Sequence, residues 1–345
     1  MRILFAGGGS IGHISPSIAV WRAVQELSPG AECHFLCSDR AEEAEFLKKE
    51  KLTFTQLSFR RIRLTRPHDP AVSFLKARMI IRRWKPDAVF IKGGAVSIPV
   101  ALAARLAGIP IVLHESDAVS GRANRLMARW ARTVCMGFPL HDTNLETVFT
   151  GNPVRPEVTQ GSEEEGFRIT GLSGEKPILL VSGGSQGALA LNEAVKRHLH
   201  ALLKRVQIIH LTGKGKAGAG KHPGYFSTEF AQADLPHLYA ITDIALGRAG
   251  AGTISEQAAC GIPSLLVPLR GLAHDHQYWN AIDAEAGGGC VLLHQETLND
   301  DLAAAVGALV DDPARLKKMN VMIRKLYVPD AANRIATLLL KTGSH

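Results

Sequence analysis

Twice in this chain a short apolar run stops at a cluster of glycines and gives way to a helical pattern. Arg2–Ala6 runs into the glycine-rich turn Gly7–Pro16, and Ser17–Leu27 then carries apolar residues at helical spacing (Ile18, Val20, Trp21, Val24, Leu27). Pro177–Ser182 runs into the turn Gly183–Gly187, and Ala188–Leu203 follows as a helix. A short buried strand, a tight glycine turn and a returning helix make the repeating unit of a parallel sheet covered on both faces. Further strands are expected at Ala88–Ile91, Ile109–Leu113, Val206–Leu211, Ile241–Gly247 and Ser264–Pro268, and a helix at Val100–Leu106. The fold class is α/β, with two doubly wound, Rossmann-like domains.

A length of 345 residues agrees with two domains at roughly 100–200 residues each. The pattern restarts after Gly151-Asn152-Pro153-Val154-Arg155-Pro156 and the polar stretch Gln160–Gly166, so domains 1–153 and 154–330 are expected, with a cleft between them. The closing helix, Ala331–Lys341 within 331–345, is expected to return to the first domain. Open α/β sheets bind ligands at the C-terminal ends of their strands, where the glycine turns lie.

Several classes are excluded. Hydrophobic residues at 46% and charged residues at 21% allow a full core. The five cysteines (Cys33, Cys37, Cys135, Cys260, Cys290) are too scattered for a disulfide framework or a zinc site, which fits a reducing cytosol. No run of 18 apolar residues occurs. Met1–Ala6 lacks the features of a signal peptide and reads as a buried strand. The formal charge of +8 is local: Arg60 to Lys85 holds nine basic residues against one acid, Asp69, and the remainder is neutral. A basic patch of that kind does not suggest a nucleic-acid binder, which would spread its charge further.

The first loop, Gly7 to His13, precedes a helix start whose free N–H groups favour an anion. It has neither the lysine of a Walker A loop nor the acid of a dinucleotide fingerprint, and by itself it is equally a tight turn. His13 can act as a base on an alcohol or merely hydrogen-bond locally. Gly93-Gly94, Gly183–Gly187 and Gly247–Glu256 repeat the strand-to-helix loop. In the last, Arg248 can meet an anion or fix a loop, Thr253 can cap the helix, and Glu256 can bind ribose hydroxyls or simply suit a first turn. No metal site is expected, since His274-Asp275-His276 reads as a loop, and the cysteines lack a basic partner.

In order along nearly the whole chain, Gly8–His13, His114-Glu115-Ser116-Asp117, Gly151–Arg155, Gly183–Ala188, Arg248–Glu256, His276–Ala281 and Pro329–Ala331 resemble the motifs of the MurG family. That family adds N-acetylglucosamine to lipid I in peptidoglycan synthesis. The resemblance implies a GT-B glycosyltransferase fold, with a first domain for acceptor and membrane and a second for donor. It implies an inverting, metal-independent hexosyltransferase without a cofactor. The donor would be UDP-N-acetylglucosamine. The acceptor would be the C4 hydroxyl of undecaprenyl-pyrophosphoryl-MurNAc-peptide (lipid I), and the product lipid II.

Carried onto this sequence, the resemblance points to His13 as the base, with Glu115 and Asp117 as the alternatives. It sets Ser10, Ile11, Gly12, Gly93, Gly94, Glu115 and Asp117 around the acceptor diphosphate. Ser185, Gln186, Arg248, Ala251, Gly252, Thr253, Ile254 and Ser255 would line the donor site, with Thr253 and its neighbours on phosphate. Glu256 would take the ribose, Arg155 and Ala231 the uridine side, and His276 and Gln277 the sugar. The chain departs from the family pattern at Ile11, Ala95, Asp117 and His276, mostly on the acceptor side.

The family further implies a peripheral place on the cytoplasmic side of the cell membrane, with cell-wall synthesis or division proteins as partners. The basic segment suits it. On a helix spanning Ala71–Lys85, Val72, Leu75 and Met79 form one apolar arc. Phe74, Ala77, Ile80, Ile81 and Trp84 form the other, with basic residues between. One arc can pack on the sheet and the other can meet an anionic lipid surface; an ordinary helix with solvated cations is the alternative. Arg122, Arg125, Arg129 and Arg132 form a second basic stripe. The rival functions are a GT-B transferase for another lipid or aglycone, a non-catalytic sugar-nucleotide-binding subunit and, more remotely, a nicotinamide oxidoreductase.

Overall fold

The computed structural model describes residues 1–9, 11–57, 69–139, 147–184, 186–231, 233–271 and 275–343, with only the backbone at Ile11. The chain divides into two compact units, Met1–Arg155 with Val328–His345, and Pro156–Tyr327.

The first unit opens with β1 (Arg2–Gly7), α1 (Ile11–Leu27), β2 (Glu32–Ser38), α2 (Ala41–Lys49), β3 (Phe54–Leu57) and α3 (Asp69–Trp84). It continues with β4 (Ala88–Gly93), α4 (Ile98–Leu106), β5 (Ile111–Glu115), α5 (Arg122–Ala128), β6 (Thr133–Met136) and β7 (Thr147–Phe149). The strands form one parallel sheet in the order β3-β2-β1-β4-β5-β6-β7. Both faces are covered, which is why the strands read as continuous apolar runs. Ile3, Phe5, Phe35, Ala88 and Phe90 pack on one side with α1 and α2. Leu4, Ala6, Leu36, Val89 and Ile91 pack on the other with α3, α4 and α5.

The second unit holds α6 (Glu163–Thr170), β8 (Ile178–Ser182), α7 (Leu189–Leu203), β9 (Gln207–Leu211), β10 (Tyr225–Thr228) and α8 (Leu235–Ala240). Then come β11 (Ile244–Gly247), α9 (Ala251–Cys260), β12 (Ser264–Leu266), α10 (His276–Ala286), β13 (Cys290–Leu292), α11 (Leu298–Val310) and α12 (Pro313–Arg324). Its sheet, also parallel, runs β10-β9-β8-β11-β12-β13. The last helix, α13 (Ala331–Gly343), packs against α1 in the first unit, burying Ile335, Ala336 and Leu339.

Three boundaries differ from the sequence reading. The turn expected over Gly7–Pro16 is much shorter, because α1 starts at Ile11 and contains Gly12, His13 and Pro16. Ile14 is buried one turn before Ile18, so the apolar stripe begins earlier. Its burial outweighs the single backbone hydrogen bond a proline removes. The polar stretch Gln160–Gly166 is largely helical: the Ser162 hydroxyl caps α6 by accepting the Glu165 N–H at 3.3 Å, and three glutamates fill the first turn. The strand expected from Ile241 starts at Ile244, because α8 runs to Ala240 and the Thr242 hydroxyl donates back to the Leu238 carbonyl at 2.7 Å.

Candidate active site

In the first sheet β1 and β4 lie side by side, and the chain leaves them in opposite directions. A doubly wound sheet opens a crevice at such a switch point, outside the C-terminal strand ends. Those ends carry Gly7–Gly9 and Gly93-Gly94. Gly94 has φ +84°, and a Cβ there would stand 2.9 Å from the Gly8 carbonyl oxygen. Backbone therefore meets backbone, which only glycine permits at this φ.

The loop is held by Glu43 of α2, a fully buried acid. It accepts the Gly9 N–H at 2.6 Å and the Ser38 N–H at 2.9 Å. Burial pushes its carboxyl up, and the two N–H groups pull it back. Gly12 and His13 lie in the first turn of α1, where backbone N–H groups have no intrahelical partner. His13 is half-buried and its carbonyl accepts the Ser17 hydroxyl at 3.2 Å.

The next strand, β5, ends in the His114–Asp117 motif. His114 is fully buried and donates from Nε2 to the Gly151 carbonyl at 3.1 Å. Burial, with Lys92 nearby, holds it well below the usual imidazole range, so it is neutral at pH 7. Asn152 Nδ2 donates to the Ser116 carbonyl at 3.1 Å. The two motifs, distant in sequence, are thus tied together. Glu115 is buried and accepts Asn124 Nδ2 at 2.8 Å and the Asp117 N–H at 3.1 Å. Burial and the Asp117 charge raise its pKa, while those hydrogen bonds and Lys92 oppose the rise. Lys92, at the end of β4, is buried and donates from Nζ to the Ser116 hydroxyl.

In the second sheet β8 and β11 form the corresponding switch point. The loop after β8 closes at Gly187, φ +66°, where a Cβ would overlap the Thr212 carbonyl. The Gln186 carbonyl accepts Lys216 Nζ at 2.5 Å. Beyond β11, Gly250 precedes α9, and among the described residues no side chain caps its first N–H groups. An uncapped helix start of this kind suits a phosphate group. Ala251, Ile254 and Ser255 are buried, Thr253 is half-buried and Gly252 is exposed. Ser255 Oγ is turned inward, donating to the Ala251 carbonyl at 2.8 Å. Glu256 accepts the Tyr239 hydroxyl at 3.2 Å.

Other candidates brace the surrounding loops. Arg248 donates to the Val267 carbonyl at 3.0 Å and to Gln295 Oε1 at 2.6 Å, and burial lowers its pKa. Gln277 Oε1 accepts the Leu269 N–H at 3.0 Å, and Asn280 Nδ2 donates to the Ala249 carbonyl at 3.1 Å. His276 opens α10 and Ala231 is buried. Arg155 is the last residue of the first unit's main segment, its guanidinium 5.6 Å from the Phe46 ring centroid. Ser10, Ser185, His274, the Ile11 side chain and the basic Arg60, Arg61, Arg63 and Arg66 lie outside the described residues. Burial pushes each of the five thiols up to about 12, which leaves them poor nucleophiles near neutrality. Among the described residues no group of three or more His, Cys, Asp and Glu is placed to hold a metal ion.

Sequence reasoning missed Glu43 and Lys92. Glu43 shares a helical face with Phe46 and Leu47, so a wheel of α2 places a carboxylate on its apolar side. Lys92 is the penultimate residue of an otherwise apolar strand, just before two glycines.

Residues 3–136 match the glycosyltransferase family 28 N-terminal domain, and residues 178–335 match its C-terminal domain. A Lachnoclostridium phytofermentans protein is 38% identical, over 90% of this chain and 91% of its own length. One from Clostridium kluyveri is 35% identical over 99% of both. Both carry the name UDP-N-acetylglucosamine–N-acetylmuramyl-(pentapeptide) pyrophosphoryl-undecaprenol N-acetylglucosamine transferase. The crystal structure of Acinetobacter baumannii MurG superposes with a TM-score of 0.77 at 28% identity, covering 99% of each chain. Two parallel-sheet domains of the GT-B type, each with glycine loops at its switch point, thus coincide with similarity over nearly the full length, and the chain belongs to glycosyltransferase family 28, in its MurG branch.

Proposed function

We propose that this protein transfers N-acetylglucosamine from UDP-N-acetylglucosamine to the C4 hydroxyl of the MurNAc of lipid I, forming lipid II. The observation that carries this reading is the 35–38% identity, over 90% or more of the chain, to transferases named for that reaction. The rival acceptors and the non-catalytic subunit find no support among these relatives.

The chemistry suits the groups in each unit. His13, at the first turn of α1, takes the proton of the C4 hydroxyl as its oxygen attacks the anomeric carbon. The bond from that carbon to the UDP oxygen breaks on the opposite face, so the configuration inverts. The departing diphosphate gains negative charge, which the uncapped N–H groups of α9 at Ala251 to Thr253 stabilise, with the helix dipole behind them. Glu256 receives the ribose hydroxyls, Arg155 and Ala231 face the uridine side, and Gln277 and His276 face the sugar.

The acceptor is lipid-linked, and α3 suits a membrane surface. Its outer arc shows Val72 at 41%, Leu75 at 61% and Met79 at 53% exposure, beside exposed Lys76, Arg78, Arg82 and Arg83. Its other face, with Ala77 and Ile81, is buried on the sheet. Apolar groups flanked by cations favour an anionic bilayer. Among the described residues no helix is long and apolar enough to cross a membrane. The proposed association is peripheral, on the cytoplasmic side, with cell-wall synthesis or division proteins as partners.

The test is transfer of radiolabelled N-acetylglucosamine from its UDP donor to a lipid I analogue in detergent, beside the His13→Ala protein. Transfer by the wild type alone supports both the reaction and the base. No transfer with donor binding intact overturns the assigned reaction.

A further inference from the structure

Lys92 is the penultimate residue of β4 and is only 3% exposed. An ammonium group held that far from water is strongly disfavoured unless charge and hydrogen bonds compensate it. The compensation comes from the end of β5. Ile91 pairs with Leu113 in the sheet, so the ends of β4 and β5 lie side by side, with Lys92 just past the last paired residue. Its Nζ donates to the Ser116 hydroxyl, and the charges of Glu115 and Asp117 favour the ammonium form. Burial pulls Lys92 down to about 8, which leaves it largely cationic at pH 7.

The same side chain borders the acceptor loop. A Cβ on Gly7 would stand 3.2 Å from Lys92 Cβ and 3.4 Å from the His13 carbonyl oxygen. A cation, two carboxylates and the first turn of α1 therefore gather at one strand end. Two carboxylates without a counter-charge would repel a diphosphate there.

We propose that Lys92 is a positioning residue of the acceptor site: it offsets the Asp117 carboxylate and holds the turn through Ser116, so that this sheet edge receives a diphosphate although it carries two acids. The proposal rests on reading the first unit as the acceptor side.

A charge-balance role predicts effects of opposite sign. In the transfer assay, Lys92→Met raises the acceptor KM tenfold or more and leaves the donor KM within twofold. Asp117→Asn lowers the acceptor KM, and the double variant recovers most of the loss. A second readout needs no turnover. With UDP saturating, geranyl diphosphate raises the melting temperature of the wild type and the double variant, but not of Lys92→Met. Lys92→Met unfolding while the double variant folds also supports the pairing. A double variant as impaired as Lys92→Met, equal diphosphate shifts in all four proteins, or unfolding of both Lys92 variants overturns it. Absent transfer with the diphosphate pattern intact counts against the proposed reaction and leaves the charge balance supported.

Discussion

His13 owes its place to backbone geometry, since α1 begins at Ile11 and carries the imidazole in its first turn. Removal of a general base typically costs about 10²–10⁴-fold in rate. His13→Ala is expected to lower kcat within that range with donor affinity unchanged, measured by transfer kinetics and donor titration. Wild-type turnover would exclude the role. His210 is a different kind of histidine. It is buried between the Tyr225 hydroxyl at 2.8 Å and Asn192 Oδ1 at 3.0 Å, while Asn192 Nδ2 donates to the Thr212 carbonyl beside Gly187. Burial is the main reason its pKa falls from 6.5 to about 4. Between those values the unfolded chain binds the proton and the folded chain does not, so this group destabilises the fold as pH falls from 6.5 toward 4. The stability advantage of wild type over His210→Gln is expected to narrow by ~2 kcal/mol across that window, read by denaturant unfolding. An advantage independent of pH would show that the network does not hold His210 neutral.

At the scale of elements, helices α3 and α13 separate what a helical pattern says from what it leaves open. The two apolar arcs of α3 are legible in spacing, and the structure decides that Ala77 and Ile81 face the sheet while Leu75 and Met79 face out. Leu75→Glu with Met79→Glu is expected to reduce sedimentation with anionic vesicles at least tenfold while sparing the fold. Added salt should weaken wild-type binding too, because the basic contribution is screened. Unchanged sedimentation would remove α3 from membrane binding. For α13 the apolar stripe is equally plain, but only its packing on α1 shows which core it completes. Leu339 is fully buried there, and Leu339→Ala is expected to destabilise the first unit by ~2–5 kcal/mol, measured by thermal or denaturant unfolding. A loss below ~1 kcal/mol would mean that the helix is not part of that core.

For the whole molecule, local chemistry explains why so much was legible from sequence. Strands buried on both faces must be apolar runs, and sharp strand-to-helix turns that meet other backbone must be glycine. The α/β class and the loops Gly7–Gly9, Gly93-Gly94, Gly183–Gly187 and Gly247–Gly250 therefore follow from residues close in sequence. The order of strands does not. A pattern of apolar residues shows which face is buried, not which strand lies beside it. The pairing of β1 with β4 and of β8 with β11, which puts glycine loops at two switch points, was decided by tertiary structure. So were the burial of Glu43 under the first loop, the setting of Lys92 against Ser116, and the use of Arg248 and Gln277 as braces. A side chain's charge state and partners depend on groups dozens of residues away. Composition and periodicity thus determined the kind of sheet and the kind of loop, while long-range packing decided which loops meet and which charges are buried together.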